Sequence, residues 1–232
     1  VAFTQFIIQD NVRGYHAEIP KVPIQITDRE KWNAFQRIPD HEIYPVAGEH
    51  MNYGDYSDYP DDLADTDASE CTTLRQPRVV ERYGPLVGTD ELARRWETEI
   101  NFCEFLTQHQ HPNIGLYLGG IFERGRIVAT AMGDPGRHGV FRMVRPAKPP
   151  PLDVEKWLAG IESAVKHLHS LGYAHNNLRP DLDHIVAGRG KMPYICDFEF
   201  CRPFGSHFAV RGTVFASDPK HDLAALQKLR KY

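Results

Sequence analysis

The chain has 232 residues, of which 41% are hydrophobic and 25% charged, enough for one sizeable core or two small lobes and too few for an elaborate multidomain assembly. Its 27 Lys and Arg stand against 31 Asp and Glu, a net charge of -4, so the positive coating that phosphate-backbone binding relies on is missing and nucleic acid is not expected as a partner. No apolar run approaches the roughly 18 to 20 residues of a membrane span, and residues 1–10 lack the basic start of a signal peptide. Four cysteines, Cys71, Cys103, Cys196 and Cys201, form no CxxC pair, so reduced thiols in a cytoplasmic protein with no membrane partner are expected.

Residues 1–39 read as an N-terminal extension. Thr27-Asp28-Arg29-Glu30 has capping-box spacing and leads into Trp32, Phe35 and Ile38, which predicts a short helix. Residues 40–75 follow as an acidic linker or loop: ten carboxylates and no Lys or Arg lie between Asp40 and Glu70, leaving the rest of the chain at +6. The segment carries Tyr44, Tyr53, Tyr56 and Tyr59 without apolar periodicity, as a solvated or surface-wrapping stretch does.

Alternating structure begins after residue 75. Arg78 to Tyr83 reads as a strand, and Asp90 opens a helix in which Leu92, Trp96, Ile100, Cys103 and Leu106 share one face. Residues 114–122 and 127–132 are apolar runs around Glu123-Arg124-Gly125-Arg126, a hairpin signal. Pro146 to Pro151 is a connector, and a boundary near residues 133–151 separates two lobes, 76–145 and 146–232. The second lobe opens with a helix carrying Leu152, Trp157, Leu158, Ile161, Val165 and Leu168, closed by Gly172. A hairpin follows, with Ile185 and Val186 before the turn Gly188-Arg189-Gly190-Lys191 and a strand over Pro193 to Phe198 after it. The last run, Ser217 to Tyr232, predicts a helix with Ser217 as cap, Pro219 in the first turn and Leu223, Leu226 and Leu229 at three-residue steps.

Two loops carry chemistry. His175-Asn176-Asn177-Leu178-Arg179-Pro180 resembles the protein-kinase catalytic loop H-R-D-L-x-x-x-N, and Asp197-Phe198-Glu199 resembles the metal-binding D-F-G. Glu99, followed by His111-Pro112-Asn113-Ile114, is similar to the ion-pairing glutamate of the kinase small lobe and the HPNI after it. Arg211-Gly212-Thr213 and His221-Asp222-Leu223 resemble the end of a short activation segment and the helix beyond. The stretches HPNIGLYLG, HLHSLGYAHNN and DFEFCRPFG together resemble a divergent fungal kinase-like family over about residues 76–232. That resemblance implies an α+β, bilobal protein-kinase-like fold with a shortened C-lobe. It also implies Asp197 as a magnesium ligand and Glu99 and Asp197 at an ATP site.

The departures weigh as much as the matches. Asn177 stands where the family has its catalytic Asp, and an amide cannot take the acceptor hydroxyl's proton. The spacing of the magnesium Asn lands on Leu182; a loop with one or two extra residues puts Asp183 or His184 there instead, Asp183 suiting the hard ion better. No lysine occurs between Lys31 and Lys148, so Arg82 is left to face Glu99 and the phosphates, and no G-x-G-x-x-G precedes it. Glu199 replaces the D-F-G glycine. Magnesium and ATP are therefore expected to bind weakly at best, with no cofactor assigned outright.

Three readings remain open on the residues. The leading one is a catalytically impaired, pseudokinase-like domain acting on a protein or small molecule through binding or regulation. The second is a kinase fold repurposed for another reaction with Asp197, Glu199, His175 or Asp183 as acid, base or ligand. The third is a divergent active phosphotransferase. His167 and His169 with His175, and Cys196 with Cys201, invite a metal or thiol site, but i and i+2 on a helix diverge and no triad spacing is present.

Overall fold

The computed structural model describes residues 3–10, 13–20, 36–46, 48, 53–55, 72–75, 88–133, 138–139, 153–179, 184–187, 192–210 and 213–231. In chain order the elements are β1 (Phe3–Asp10), β2 (Arg13–Pro20), β3 (Gln36–Arg37), α1 (Asp40–Ile43), β4 (Tyr53–Asp55), β5 (Thr72–Arg75), α2 (Glu91–Thr107), β6 (Tyr117–Glu123), β7 (Arg126–Gly133), β8 (His138–Gly139), α3 (Val154–Ser170), β9 (Tyr173–Ala174), β10 (Ile185–Ala187), β11 (Pro193–Ile195), β12 (Arg202–Pro203), β13 (His207–Val210), β14 (Thr213–Ala216) and α4 (Pro219–Leu229). Helix and strand are mixed, as in an α+β chain, and the sheets are antiparallel except where β4 runs parallel to β6.

Local chemistry accounts for the principal elements. In α2 the five residues expected on one face are all buried, and Glu91–Arg95 and Asp90–Arg94 pair along its surface one turn apart. Asp153 caps α3 by accepting from the Lys156 N–H at 3.1 Å, and Gly172, at φ +82, ends it as only a residue without Cβ does cheaply. Between β6 and β7, Arg124 and Gly125 both have positive φ, 51° and 78°, which makes the two-residue turn whose twist matches its strands. Glu123 and Arg126, expected in the turn, close the ladder instead.

Two apolar clusters result. One joins α2 and α3 with Ile114, Ile185, Ile195 and Phe198, and reaches Leu226 and Leu229 of α4. The other packs Ile38, Ile43 and Tyr44 on Leu92 and on Ile121, Val128, Ala129 and Ala131 of the β6–β7 hairpin. The sheet order β4-β6-β7-β5 places that hairpin at the centre of four strands.

Several expectations need correction. The helix expected over 27–38 lies largely outside the described residues, but its end is not helical: Gln36–Arg37 pairs with β2 and Ile38 is buried beyond it. Residues 40–75 are not simply a linker. They contribute α1, β4 and β5, because Ile43 and Tyr44 supply an apolar anchor that a count of charges conceals. Asp40 meanwhile binds Arg37, and the buried Glu42 accepts the Gly88 N–H at 2.9 Å.

β11 stops at Ile195, short of Phe198. Asp218, not Ser217, caps α4 by accepting from Lys220 N at 2.8 Å, while Leu223 is exposed. Three-residue steps drift about 60° each around a 3.6-residue helix, which carries Leu223 off the face held by Leu226 and Leu229. The strand expected over 78–83, the connector over 146–151 and the turn over 188–191 lie outside the described residues. No helix among the described residues is long and apolar enough to cross a membrane.

Candidate functional site

The two motif loops are brought together by short pairings. β9 leaves the Gly172 turn and pairs with β12, setting Arg202 opposite Ala174 and so His175 to Leu178 beside the Cys196 to Cys201 stretch. The Cys196 N–H bonds the His184 carbonyl at 2.9 Å, and the Ile195 N–H bonds the Asn113 carbonyl at 2.8 Å, so the loop carrying Asp197 is tied on both sides.

The first loop is fixed from α4. Asp222, fully buried in that helix's first turn, accepts from the backbone N–H groups of His175 at 2.8 Å and Asn176 at 2.9 Å, and from His169 Nε2 at 2.9 Å. Asn176 has φ +63, a conformation Asn tolerates better than most residues. Its Nδ2 donates to the carbonyls of Ala174 and Phe200 and to Ser217 Oγ, and its Oδ1 accepts from Asp218 N and His221 Nδ1, over distances of 2.9 to 3.3 Å. His175 is fully buried, donates from Nε2 to the Cys196 carbonyl at 3.1 Å and lies with its ring centroid 5.4 Å from that of Phe198.

The second loop turns sharply at Asp197, φ +69 and 1% exposed. His184, 0% exposed, donates from Nδ1 to the Asn177 carbonyl and sets Nε2 3.2 Å from Asp197 Oδ2. The next N–H, of Phe198, donates at 3.3 Å to Oε1 of Glu99, a buried residue of α2 that lies 99 positions away in sequence. Of the six residues singled out from sequence, Glu99, His175 and Asp197 thus share one buried knot, which the half-buried Asn177 joins through its backbone carbonyl. Arg82 and Asp183 lie outside the described residues, so the pairing of Arg82 with Glu99 and the metal role of Asp183 fall there too.

The donors among the described residues do not suit magnesium. That ion requires near-octahedral oxygen, whereas the described side chain beside the Asp197 carboxylate is an imidazole, its Nδ1 bonded to the Asn177 carbonyl and its Nε2 3.2 Å from Oδ2. No three His, Cys, Asp or Glu groups converge as a metal cluster among the described residues. His167 bonds the His109 carbonyl and His169 bonds Asp222, so each serves the protein rather than a common ion.

Electrostatics bear on the thiol reading. Cys201 is buried and its pKa is pushed well up, first by burial and then by the Asp222 charge, which keeps it a protonated thiol and a poor nucleophile. Arg202, which donates to the Glu199 and Cys201 carbonyls, has its pKa lowered first by burial; Cys201 opposes that shift and the Arg95 charge adds to it. Arg95 lies over the Phe200 ring, 5.5 Å from its centroid.

Sequence reasoning did not single out Asp222 or Asn176, and named His184 only as an alternative to Asp183. The available signal for Asp222 was a carboxylate one turn into a helix after a capped Pro, a place from which it can reach neighbouring backbone N–H groups. No protein-family model and no curated protein matches the chain.

Proposed function

We propose that the chain is a catalytically impaired, kinase-like domain, bilobal with a shortened C-terminal lobe, which acts on a protein or small-molecule partner through binding or regulation. One observation carries this reading: residues from three motifs, spread over about half the chain, meet in one place, largely shielded from water and in contact with one another. Glu99 holds a backbone N–H, Asp197 Oδ2 lies 3.2 Å from His184 Nε2, and the His175–Asn177 loop is held by Asp222. Polar groups from distant segments are not buried together without partners, so the knot has a structural logic of its own.

Phosphoryl transfer draws on groups this chain lacks. Asn177 offers no base, and no lysine occurs in residues 32–147 to meet the phosphates. The acid–base enzyme reading is weaker, since His175, Asp197 and Glu199 are all 4% exposed or less. Titration calorimetry of the full chain with ATP, with and without magnesium, tests the proposal. The expected result is no binding at sub-micromolar concentration in either case, and sub-micromolar, magnesium-dependent binding would refute it.

A further inference from the structure

The turn between α2 and β6 is closed by a histidine whose proton is placed by its neighbours. The Asn113 N–H donates to His111 Nδ1 at 3.1 Å, so that nitrogen keeps its lone pair. Nε2 therefore carries the ring's one proton and donates to Ser163 Oγ of α3 at 3.0 Å. Asn113, itself buried, passes the constraint on: its Nδ2 donates to the Pro193 carbonyl at 2.9 Å, and its carbonyl accepts the Ile195 N–H at 2.8 Å. The Gly115 N–H adds a bond to the Ile195 carbonyl at 3.1 Å. β11, and the loop that leaves it toward Asp197, are thus tied to a turn that needs His111 neutral.

We infer that His111 is a proton-operated latch on β11: bare at Nδ1 it closes the turn, and protonated there it releases the turn and with it the tether to the Asp197 loop. The latch is a property of the turn, whatever partner the loops beyond it meet. An imidazolium has only donors, so two N–H groups would face each other across 3.1 Å, and the half-buried ring relieves this by turning toward water. The buried Asn113 N–H is then left without its acceptor. Among the described residues, the titratable groups around the ring are His167 of α3, stacked on it at 5.0 Å between centroids, and His109 beyond the end of α2, whose carbonyl bonds His167 at 2.8 Å. Along the same stretch of α3, Glu162 pairs with Lys166 and with Arg230 of the chain's end, and β11 brings Pro193 and Tyr194. Burial first and the His167 charge second hold the His111 pKa below its ordinary 6.5, so release falls on the acid side of that value.

The test uses the full chain and two readouts. Heteronuclear NMR of the imidazole nitrogens at about pH 7.5 should show His111 bare at Nδ1 and protonated at Nε2, its signals assigned by their loss in His111→Asn. Amide hydrogen exchange, corrected for the pH dependence of the intrinsic rate, then follows the Ile195 N–H on the tether and the Val165 N–H in the α3 core. Between about pH 7.5 and about pH 5.5 the protection of Ile195 should fall roughly 10-fold more than that of Val165, the size expected when one buried donor loses its acceptor. In His111→Asn, whose amide oxygen accepts the Asn113 N–H at either pH, the two amides should keep their ratio. A proton on Nδ1 at about pH 7.5, an Ile195 loss no larger than that of Val165, or the same selective loss in a folded His111→Asn each overturns the inference. If His111→Asn fails to fold by circular dichroism, the wild-type proton position and the wild-type ratio of Ile195 to Val165 decide.

Discussion

Asp222 makes the most quantitative demand of this structure. Its carboxylate is the acceptor for two backbone N–H groups and one imidazole, with no exposure to water. Replacing it with Ala strands the His175 and Asn176 N–H groups, and hydrogen bonds to a charged partner are worth about 1.5–3 kcal/mol each. The expected loss is therefore about 3–6 kcal/mol, a large part of the roughly 5–15 kcal/mol that holds a domain folded. At about 2–4 °C per kcal/mol for a chain of this size, unfolding should fall by on the order of 10 °C. Asp222→Asn keeps one acceptor oxygen and should lose about half as much. Urea denaturation and calorimetry measure both variants, and adding His169→Ala in each background isolates the imidazole contribution. A loss below about 1 kcal/mol for Asp222→Ala would refute the reasoning, since the two N–H groups would then have found other partners.

Gly160→Ala should destabilise the fold even though Ala favours a helix by about 1 kcal/mol, because the new Cβ would stand 2.8 Å from Pro193 Cγ and 2.9 Å from Asn113 Nδ2; a rise in the urea midpoint would contradict this. Stability should also depend on pH through His111, whose pKa lies below its ordinary 6.5 because of burial first and the His167 charge second. A lowered histidine pKa means the unfolded chain takes up the proton first, so the contribution is present above 6.5 and is lost as pH falls below that value. His111→Asn, which can still accept the Asn113 N–H, should flatten that slope in urea titrations at several pH values, and an unchanged slope would remove His111 as its source.

How much of this could be read from sequence depends on the range of the forces involved. The face of α2, the Trp157, Ile161, Val165 and Leu168 face of α3, the turn at Arg124-Gly125 and the stop at Gly172 are local, set by periodicity and backbone freedom within a few residues, and they emerge as expected, with Leu152 outside the described residues. Ile43 and Tyr44 escaped notice because their burial depends on Leu92 and the β6–β7 hairpin, which no local pattern in an acidic run reveals. In the site, Glu99, His175 and Asp197 were legible because ordered motifs mark them. Asn176 and Asp222 were not, because their roles are those of partners: one residue's amide serves three segments and another's carboxylate collects N–H groups from 46 and 47 positions away. His184 lay between these cases, its place depending on a loop length that spacing alone left open.

The two motif loops share one further feature that bears on what such a site can do. Asn176 and Asp197 both adopt left-handed backbone conformations without being glycine, each at a cost of about 1–2 kcal/mol. Strain of this kind persists only where surrounding contacts overdetermine it, and in many sites a ligand supplies part of that determination. Here the contacts come from within the chain: Asn176 from Asp222, Ser217, Phe200 and Ala174, and Asp197 from His184 and, through the next N–H, Glu99. On the proposed reading, a loop pair whose strain is offset in this way would not rely on nucleotide or metal to complete it. A partner of the kind proposed above would then meet loops already held by these contacts rather than loops that must first be ordered, and the conformational cost of association would fall accordingly. Such preorganisation is what the proposed recognition role would draw on, more than chemistry in which the same groups bind and release a metal on each turnover.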